Sequence, residues 1–508
     1  MTKDTLDAIR SGMSRGVAWM LFQKLAERLL SLVSVSILAR LLVPSDFGLV
    51  ALAMSTLALL EVFGAFGLDI ALIRQPNANR THFDAAWTFN VLFGCAIALL
   101  AAGLAPLARW FYDDPRLLPV ILSLGASRAI AGFENIGIVR FRKDLQFDRE
   151  FRFALLKRLA TSLLVTIPLA FALRNYWALV AGNMAGTCIA VALSYALHPF
   201  RPRPSLAGFG VLMRFSKWLL VASIIELLYA RLPDFVVGRA VGTSALGALS
   251  VARDLARLPA AEVAAPVNRA VFPGYVKLAD DREQLSRAYI RVTSRLLLLV
   301  VPAAVGLCVL AEPAVLLLLG EQWRAAIPLV RLLALNAMVG VWLSTAHHVN
   351  LAVGMARSTS IVLALHAALS LPLMLWLVPS FGAEGAVCAL LVASLCTAPA
   401  NFVLLGKAIA FRMRDAAAMI WRPLVGSLAM SGVLFELLQH LGWPQALPMQ
   451  LVCVVLLVAI GAVVYAATVM VCWALRRNTD SAEAWLVERA RAFLRSTALR
   501  AARDRPAP

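Results

Sequence analysis

The sequence predicts an all-α polytopic membrane protein with about 14 transmembrane helices. They form two parallel six-helix bundles related by a pseudo-two-fold axis, followed by two additional C-terminal helices. Three observations predict this fold: an apolar composition, a succession of long apolar runs, and an internal repeat. Of the 508 residues, 61% are hydrophobic and only 15% are charged, and the mean hydropathy is +0.79.

The composition excludes two classes of protein. Soluble domains carry about a quarter charged residues, so this chain has too few to cover a water-facing surface. A disordered basic protein is excluded because the sequence contains no polar low-complexity tracts. The formal net charge is nevertheless +19. No nucleic-acid partner is expected, because the cations are not gathered on one exposed face.

The apolar runs supply the elements. A helix needs roughly 20 apolar residues to cross the hydrocarbon core of a bilayer. The first run is too long for a signal-peptide core and has no small-residue cleavage site, so no cleaved signal is expected. The candidate spans are 16–42, 47–73, 84–109, 117–139, 153–173, 176–198, 214–238, 245–270, 293–318, 327–351, 359–380, 383–407, 419–440 and 448–474.

Cations between the spans predict the orientation. Alternate loops are rich in Arg and Lys, and by the positive-inside rule these are cytoplasmic, which places both termini inside. The cytoplasmic cations include Arg140, Arg142, Lys143, Arg149, Arg152, Lys157, Arg158, His198, Arg201, Arg203, Arg214, Lys217, Lys277, Arg282, Arg287, Arg291, Arg295, Lys407, Arg412, Arg414 and Arg422. The short outer loops hold only Arg109, Arg116, Arg174, Arg239 and Arg324.

An internal repeat divides the chain. Leu38–Ala53 aligns without gaps to Val237–Ala252 at an offset of 199, pairing Gly48 with Gly247. Six spans separate the copies, so the repeat is parallel and its axis runs along the membrane normal. The predicted domains are an N-terminal bundle (1–200), a C-terminal bundle (201–410), two additional helices (411–475) and a cytoplasmic basic tail (476–508).

The tail is interpreted as an amphipathic helix. From Ser481 onwards, helical winding places Trp485, Phe493 and Leu494 along one side and several Arg residues on the other. Such a helix suits the anionic inner leaflet, and a solvated basic tail is the alternative.

Catalytic and metal-binding motifs are absent from the sequence, so neither an enzyme nor a cofactor is expected. The seven cysteines lie singly inside apolar runs and are predicted to be small buried hydrophobes. His347, His348 and His366 lie within spans, where a structural role is more common than a proton relay.

Ionisable residues inside the spans are the candidate site. Each costs about 2.5–3.5 kcal/mol at a helix centre on insertion scales, so such residues normally face a bundle interior or a wet cavity. Five cations on the first two helices of each half predict a cavity between the halves that receives an anionic headgroup. They are Lys24, Arg28, Arg231, Arg253 and Arg257. Further ionisable residues in spans are Glu61, Asp69, Arg128, Glu134 and Asp254.

The nearby carboxylates leave two interpretations open. Glu27, Glu226 and Asp234 would neutralise the cations of an empty cavity or bind a coupling ion. Alternatively the charges only pair and hold helices together, Lys24 with Glu27 and Arg253 with Glu226 or Asp254.

Several stretches resemble a known family. LARLLVPSDFGLVALA (Leu38–Ala53), FRKDLQFDREF (Phe141–Phe151) and AEPAVLLLLGEQWRAAIPLVRLLA (Ala311–Ala334) are similar to Wzx-type polysaccharide flippases. These belong to the multidrug/oligosaccharidyl-lipid/polysaccharide (MOP) exporter superfamily. LPDFVVGRAVGTSALGALSVARDLARLP (Leu232–Pro259) adds to the similarity, although Leu249 stands where a Tyr is expected.

The resemblance implies a flippase of the bacterial inner membrane. It would move undecaprenyl-diphosphate-linked oligosaccharide for lipopolysaccharide, capsule or exopolysaccharide synthesis, by alternating access through the cationic cavity. Membrane lipids, a polysaccharide polymerase and chain-length machinery are the other partners it implies. A MATE-like drug/cation antiporter is the alternative, but it would need an anion-lined cavity. A membrane-embedded polymerase is a weaker one, because every outer loop is short.

Overall fold

The structure is a computed structural model that describes residues 30–62, 72, 79–144, 146–207, 209, 227, 230–441, 444 and 446–475. Every regular element in these ranges is a helix. In the first part of the chain they are α1 (Leu30–Leu41), α2 (Pro44–Glu61), α3 (Arg80–Tyr112), α4 (Leu117–Gly132), α5 (Val139–Lys143), α6 (Phe147–Leu159), α7 (Ile167–Leu173), α8 (Trp177–Leu197) and α9 (230–240). The rest are α10 (Thr243–Lys277), α11 (Arg282–Val309), α12 (Ala311–Leu318), α13 (Ala326–Ala352), α14 (Ala356–Ala408), α15 (Met413–His440) and α16 (Leu447–Leu475).

The predicted all-α polytopic fold is confirmed. Nine helices within the described ranges are long and apolar enough to cross a membrane. The count of 14 spans stays a prediction, because the predicted spans at 16–42 and 214–238 lie partly outside those ranges. The fourth span is shorter than expected: α4 ends at Gly132, and a 3₁₀ turn (Ile136–Ile138) follows.

One long helix corresponds to two predicted spans. α14 runs over 53 residues, but Gly382 inside it has φ 58° and ψ −140°, which is not a helical conformation. A positive φ of this kind is readily adopted only by glycine. The kink falls between the predicted spans 359–380 and 383–407 and separates them.

A π-helical segment joins α6 to α7. Residues Ala160–Thr166 form wide turns, and the Thr166 hydroxyl donates to the carbonyl oxygen of Thr161 at 2.9 Å. Pro168 follows within the first turn of α7 and lacks an N–H, so the regular ladder cannot continue across it. α8 approaches this segment closely through Gly182 and Gly186, where an added Cβ would lie within 3 Å of threonine side chains. Small residues four apart are typical of close helix contacts in membranes.

The chain divides into two compact units. Of the described residues, those within Met1–Ser250 and Leu319–Trp323 form the first unit. Those within Val251–Leu318 and Arg324–Pro508 form the second.

Within the first unit the repeat produces a reciprocal helix crossing. A Cβ on Gly48 of α2 would lie 1.6 Å from the Thr243 carbonyl oxygen at the start of α10. A Cβ on Gly247 would lie 1.8 Å from the Pro44 carbonyl oxygen at the start of α2. In the repeat, Thr243 is equivalent to Pro44 and Gly247 is equivalent to Gly48, at the offset of 199. Two symmetric approaches of this kind are what a two-fold relation between the repeats requires.

The chain after α8 is fastened back onto the first unit. Asn135, which is buried, donates its side-chain amide to the Phe200 carbonyl oxygen at 2.7 Å. The Arg203 N–H donates to Asp84 at 2.9 Å, and the Ser205 N–H donates to the Thr88 hydroxyl at the same distance. Residues 198–205 therefore form a clasp over the ends of α3, α4 and α8.

Two predictions about side chains and termini have different outcomes. The expectation of buried cysteines is wrong: all seven are free, and they are exposed or half-buried. In a membrane protein an apolar residue is as well accommodated facing lipid as facing the core. The predicted amphipathic tail, 476–508, lies outside the described residues and stays a prediction.

Candidate functional site

A buried carboxylate joins α9 to α2 in the first unit. The Ser55 hydroxyl donates to Asp234 Oδ2 at 2.7 Å, and Arg231 Nη1 lies 3.4 Å from the same oxygen. The Asp234 side chain is 2% exposed, whereas that of Arg231 is 36% exposed. We call Ser55, Arg231 and Asp234 the Asp234 trio.

The geometry of the trio explains how the carboxylate is tolerated. A buried charge is costly unless it is paired and hydrogen-bonded. Here one oxygen of Asp234 accepts from a neutral hydroxyl and faces a cation one helical turn away. The guanidinium reaches further towards the surface than the carboxylate, so part of it stays available to a second anion. Arg231 and Asp234 thus bring opposite charges together.

The remaining predicted site residues are placed as follows. Arg253 is half-buried and Arg257 is exposed, four residues apart on α10 in the second unit. That spacing puts both on one side of the helix. Lys24, Glu27, Arg28 and Glu226 lie outside the described residues. The cavity predicted from all these charges therefore stays a prediction.

Two other predicted intramembrane charges are brought together. Arg128 of α4 forms an ion pair through Nε with Glu61, the last residue of α2. Both side chains are part-exposed. The sequence alone singled out each residue but could not pair them, because the crossing of α2 with α4 is a tertiary feature. This pair matches the interpretation in which intramembrane charges hold helices together.

Two of the predicted histidines in the second unit have structural partners. His348 Nδ1 lies 2.8 Å from the Ser344 carbonyl oxygen in its own helix. His366 Nε2 lies 3.1 Å from the Ser394 hydroxyl, which donates to Asn336 Oδ1 at 3.1 Å. This polar chain connects α13 with both halves of α14. Across the described ranges no group of His, Cys, Asp or Glu could hold a metal ion.

Sequence reasoning missed a polar anchor at the end of α1. Trp323 Nε1 donates to the Ala39 carbonyl oxygen at 2.7 Å, and Gln322 Nε2 donates to the Leu42 carbonyl oxygen at 3.0 Å. Phe47 packs edge-on against the fully buried Trp323 ring. The two donors satisfy carbonyls that a helix terminus leaves without partners. The sequence signal for this anchor was a Gln-Trp pair in a short loop between two spans.

The fold is shared with solved polytopic membrane proteins. The lipid II flippase MurJ in an inward closed conformation superimposes with a TM-score of 0.72 over 90% of this chain and 99% of that one, at 14% identity. An inward-facing MATE family multidrug transporter of the MOP superfamily gives a TM-score of 0.57 over 77% and 95%, at 16% identity.

The sequence gives the family. Residues 37–328, more than half of the chain, match the family described as polysaccharide biosynthesis protein, and the chain belongs to it. Its relatives include the succinoglycan biosynthesis transport protein ExoT of Rhizobium meliloti, 30% identical over 64% of this chain and 66% of ExoT. The lipopolysaccharide biosynthesis protein WzxC of Escherichia coli is 24% identical over 61% and 64%. The chain thus spans just under two thirds of these relatives.

Proposed function

We propose that this protein is a flippase that moves a polyprenyl-diphosphate-linked oligosaccharide across the bacterial inner membrane, with both termini in the cytoplasm. One observation carries the proposal: a chain of the polysaccharide biosynthesis family has the fold of a lipid flippase. The named relatives act in succinoglycan and lipopolysaccharide biosynthesis, which supports a lipid-linked sugar as the class of substrate. A polysaccharide polymerase would then act on the product.

The proposed mechanism follows from the cost of moving charge through hydrocarbon. A diphosphate with several sugars cannot cross unassisted, because each desolvated charge costs many kcal/mol. Lys24, Arg28, Arg231, Arg253 and Arg257 would receive the diphosphate, while the polyprenyl tail stays in lipid. A change between states open to either side would then expose the headgroup to the other leaflet.

The Asp234 trio has a specific place in this mechanism. In the empty protein Asp234 neutralises Arg231, which lowers the cost of a cation within the membrane. An arriving phosphate would compete with Asp234 for the exposed part of the Arg231 guanidinium. The carboxylate keeps its Ser55 partner during this exchange. Proton, sodium or the membrane potential would supply the driving force, with Glu27 and Glu226 as further candidate carboxylates.

The second candidate function is a drug/cation antiporter, favoured by the MATE-like fold. A cation substrate would need uncompensated carboxylates in its cavity. Two of the described intramembrane carboxylates, Glu61 and Asp234, each form an ion pair with an arginine. The antiporter is therefore the weaker proposal.

Reversing a single charge tests the proposal in cells. Arg28→Glu or Arg253→Glu should abolish surface polysaccharide and cause lipid-linked repeat units to accumulate inside, because the diphosphate would meet an anion in the cavity. Both quantities are measured in a strain that depends on this gene, together with the amount of protein in the membrane.

Arg269→Glu is the matched control, because Arg269 is an exposed arginine on the same helix as Arg253 but outside the proposed site. It should export polysaccharide normally. Normal polysaccharide in both charge-reversed strains at normal protein level would contradict the cavity. A loss of cationic-dye efflux with normal polysaccharide would instead favour the antiporter.

A further inference from the structure

A pocket in the second unit is lined by none of the proposed cavity residues. Its volume is about 350 Å³. It opens where α11 ends, α12 and α13 begin, α15 ends and α16 begins, so five helix termini meet around it. By the orientation predicted from the loop cations, this end of the helices faces the outer side. The two C-terminal helices outside the repeat thus share a pocket with the second bundle.

The charged residues of the pocket are two arginines and one glutamate. Arg324 Nη1 lies 3.5 Å from Glu312 Oε1, and both side chains are about half exposed, at 58% and 48%. Arg331 also lines the pocket and is exposed. Within the described part of the chain no ion pair is recorded for Arg331. Two cations against one anion leave the pocket with a net positive charge.

The rest of the lining is mostly apolar. Leu316 and Leu457 line it as buried side chains, whereas Phe435 also lies on the exposed surface of α15. Phe435 is 60% exposed, and Leu451 and Val455 on α16 are exposed to a similar extent. In a bilayer this surface meets acyl chains. The pocket therefore combines a cationic end with an apolar exit towards lipid, which matches an amphiphile and does not match a water-soluble anion.

The depth of the arginines fits a lipid phosphate. Arg331 lies five residues into α13, about 8 Å along the helix axis from its start. This close to a helix end, a long arginine side chain reaches the level of the lipid phosphates. The guanidinium fork binds phosphate oxygens bidentately and stays charged, so Arg331 is suited to hold a lipid phosphate.

We propose that this pocket binds an anionic glycerophospholipid of the outer leaflet. Its phosphate lies on Arg331 and Arg324, and one acyl chain follows Phe435 and Leu457. The lipid joins the two C-terminal helices to α11, α12 and α13. The proposal does not depend on the flippase function, because none of its residues belongs to the proposed diphosphate cavity.

Native mass spectrometry of the purified full chain tests it. Phosphatidylglycerol, phosphatidylethanolamine and inorganic phosphate are titrated separately onto delipidated protein. The wild-type protein should retain one phosphatidylglycerol more tightly than phosphatidylethanolamine, and inorganic phosphate should not displace it. Arg331→Gln should weaken phosphatidylglycerol binding about tenfold or more, since hydrogen bonds to charged groups are among the strongest.

Two further variants make the test decisive. Glu312→Gln should bind phosphatidylglycerol several-fold more tightly, because it removes a carboxylate that repels the lipid phosphate from the pocket; a merely structural role predicts no gain. Arg109→Gln, an exposed arginine on the same predicted side but in the other unit, should bind as the wild type does. Equal affinities of wild type, Arg331→Gln and Glu312→Gln would overturn the proposal. So would displacement by inorganic phosphate, or equal binding of the two lipids.

Discussion

Asp234 shows how single residues stabilise a buried charge within an apolar helix bundle. Two of its partners come from different helices: Arg231 from one turn earlier in α9 and Ser55 from α2. A single serine inside an apolar span does not by itself predict a site. Ser55 nevertheless donates the shortest hydrogen bond of the Asp234 trio. The same principle applies at Asn135, whose buried amide satisfies the carbonyl groups of the clasp. Small polar residues in spans therefore contribute as much to these buried contacts as charged residues do.

His198 is predicted to make the clasp sensitive to pH. Burial lowers the pKa of His198 below its ordinary value of 6.5, and the positive charges of Arg140, Arg149 and Arg201 lower it further, against an opposing effect of Asp144. The Phe200 N–H donates to neutral His198 Nδ1 at 3.1 Å, and protonation removes that acceptor. The clasp should be most stable above pH 6.5 and weaken as the pH falls below it, since the released chain then binds the proton more readily.

Hydrogen–deuterium exchange of residues 199–206, corrected for intrinsic rates, measures this effect. Protection should fall between pH 7.5 and 5.5 in the wild type. His198→Asn offers an oxygen acceptor that does not titrate, so its protection should vary less with pH. A pH dependence of equal size in the two proteins would show that another group is responsible.

At the scale of elements, helices extend beyond the apolar spans. The predicted loop cations Arg149 and Arg152 lie on α6, and Arg287 and Arg291 lie on α11. The apolar pattern marks only the stretch that crosses the hydrocarbon core. The helix itself continues into the headgroup region, where long basic side chains reach water or phosphate. Span existence was therefore predictable, and helix ends were not.

The glycine crossing of α2 and α10 gives a second prediction. Gly48→Ala or Gly247→Ala would place a methyl group within 2 Å of a backbone oxygen, which no side-chain rotation can relieve. Each should destabilise the protein by about 1–3 kcal/mol or more, as overpacking does. The measurement is the melting temperature of the purified protein.

Gly103→Ala is the control, because a Cβ at Gly103 in α3 would meet nothing within 4 Å. It should leave the melting temperature unchanged or raise it slightly, since alanine favours the helix. Melting temperatures of Gly48→Ala and Gly247→Ala equal to that of Gly103→Ala would refute the close crossing.

The whole molecule separates its cations into two groups. Most lie in predicted cytoplasmic loops and helix ends, and a few lie within spans. The helical fold was predictable because it rests on composition and on residues at fixed spacing, whereas the separation of the cations stays a prediction. The sequence could not predict that Glu61 meets Arg128, that Ser55 meets Asp234, or that Gln322 and Trp323 cap α1. Those contacts depend on helix crossings between residues far apart in sequence.

Flipping by the purified protein in liposomes tests the central proposal most directly. A fluorescent polyprenyl-diphosphate-linked oligosaccharide is reconstituted into both leaflets, and a membrane-impermeant quencher reports the outer-leaflet share over time. With the wild-type protein and with Arg269→Glu, quenching should continue until nearly all substrate has been exposed. With Arg253→Glu it should stop at the outer-leaflet share, as in protein-free liposomes. Protein-free behaviour of the wild type, or full quenching with Arg253→Glu, would contradict a cationic cavity that transfers the lipid diphosphate.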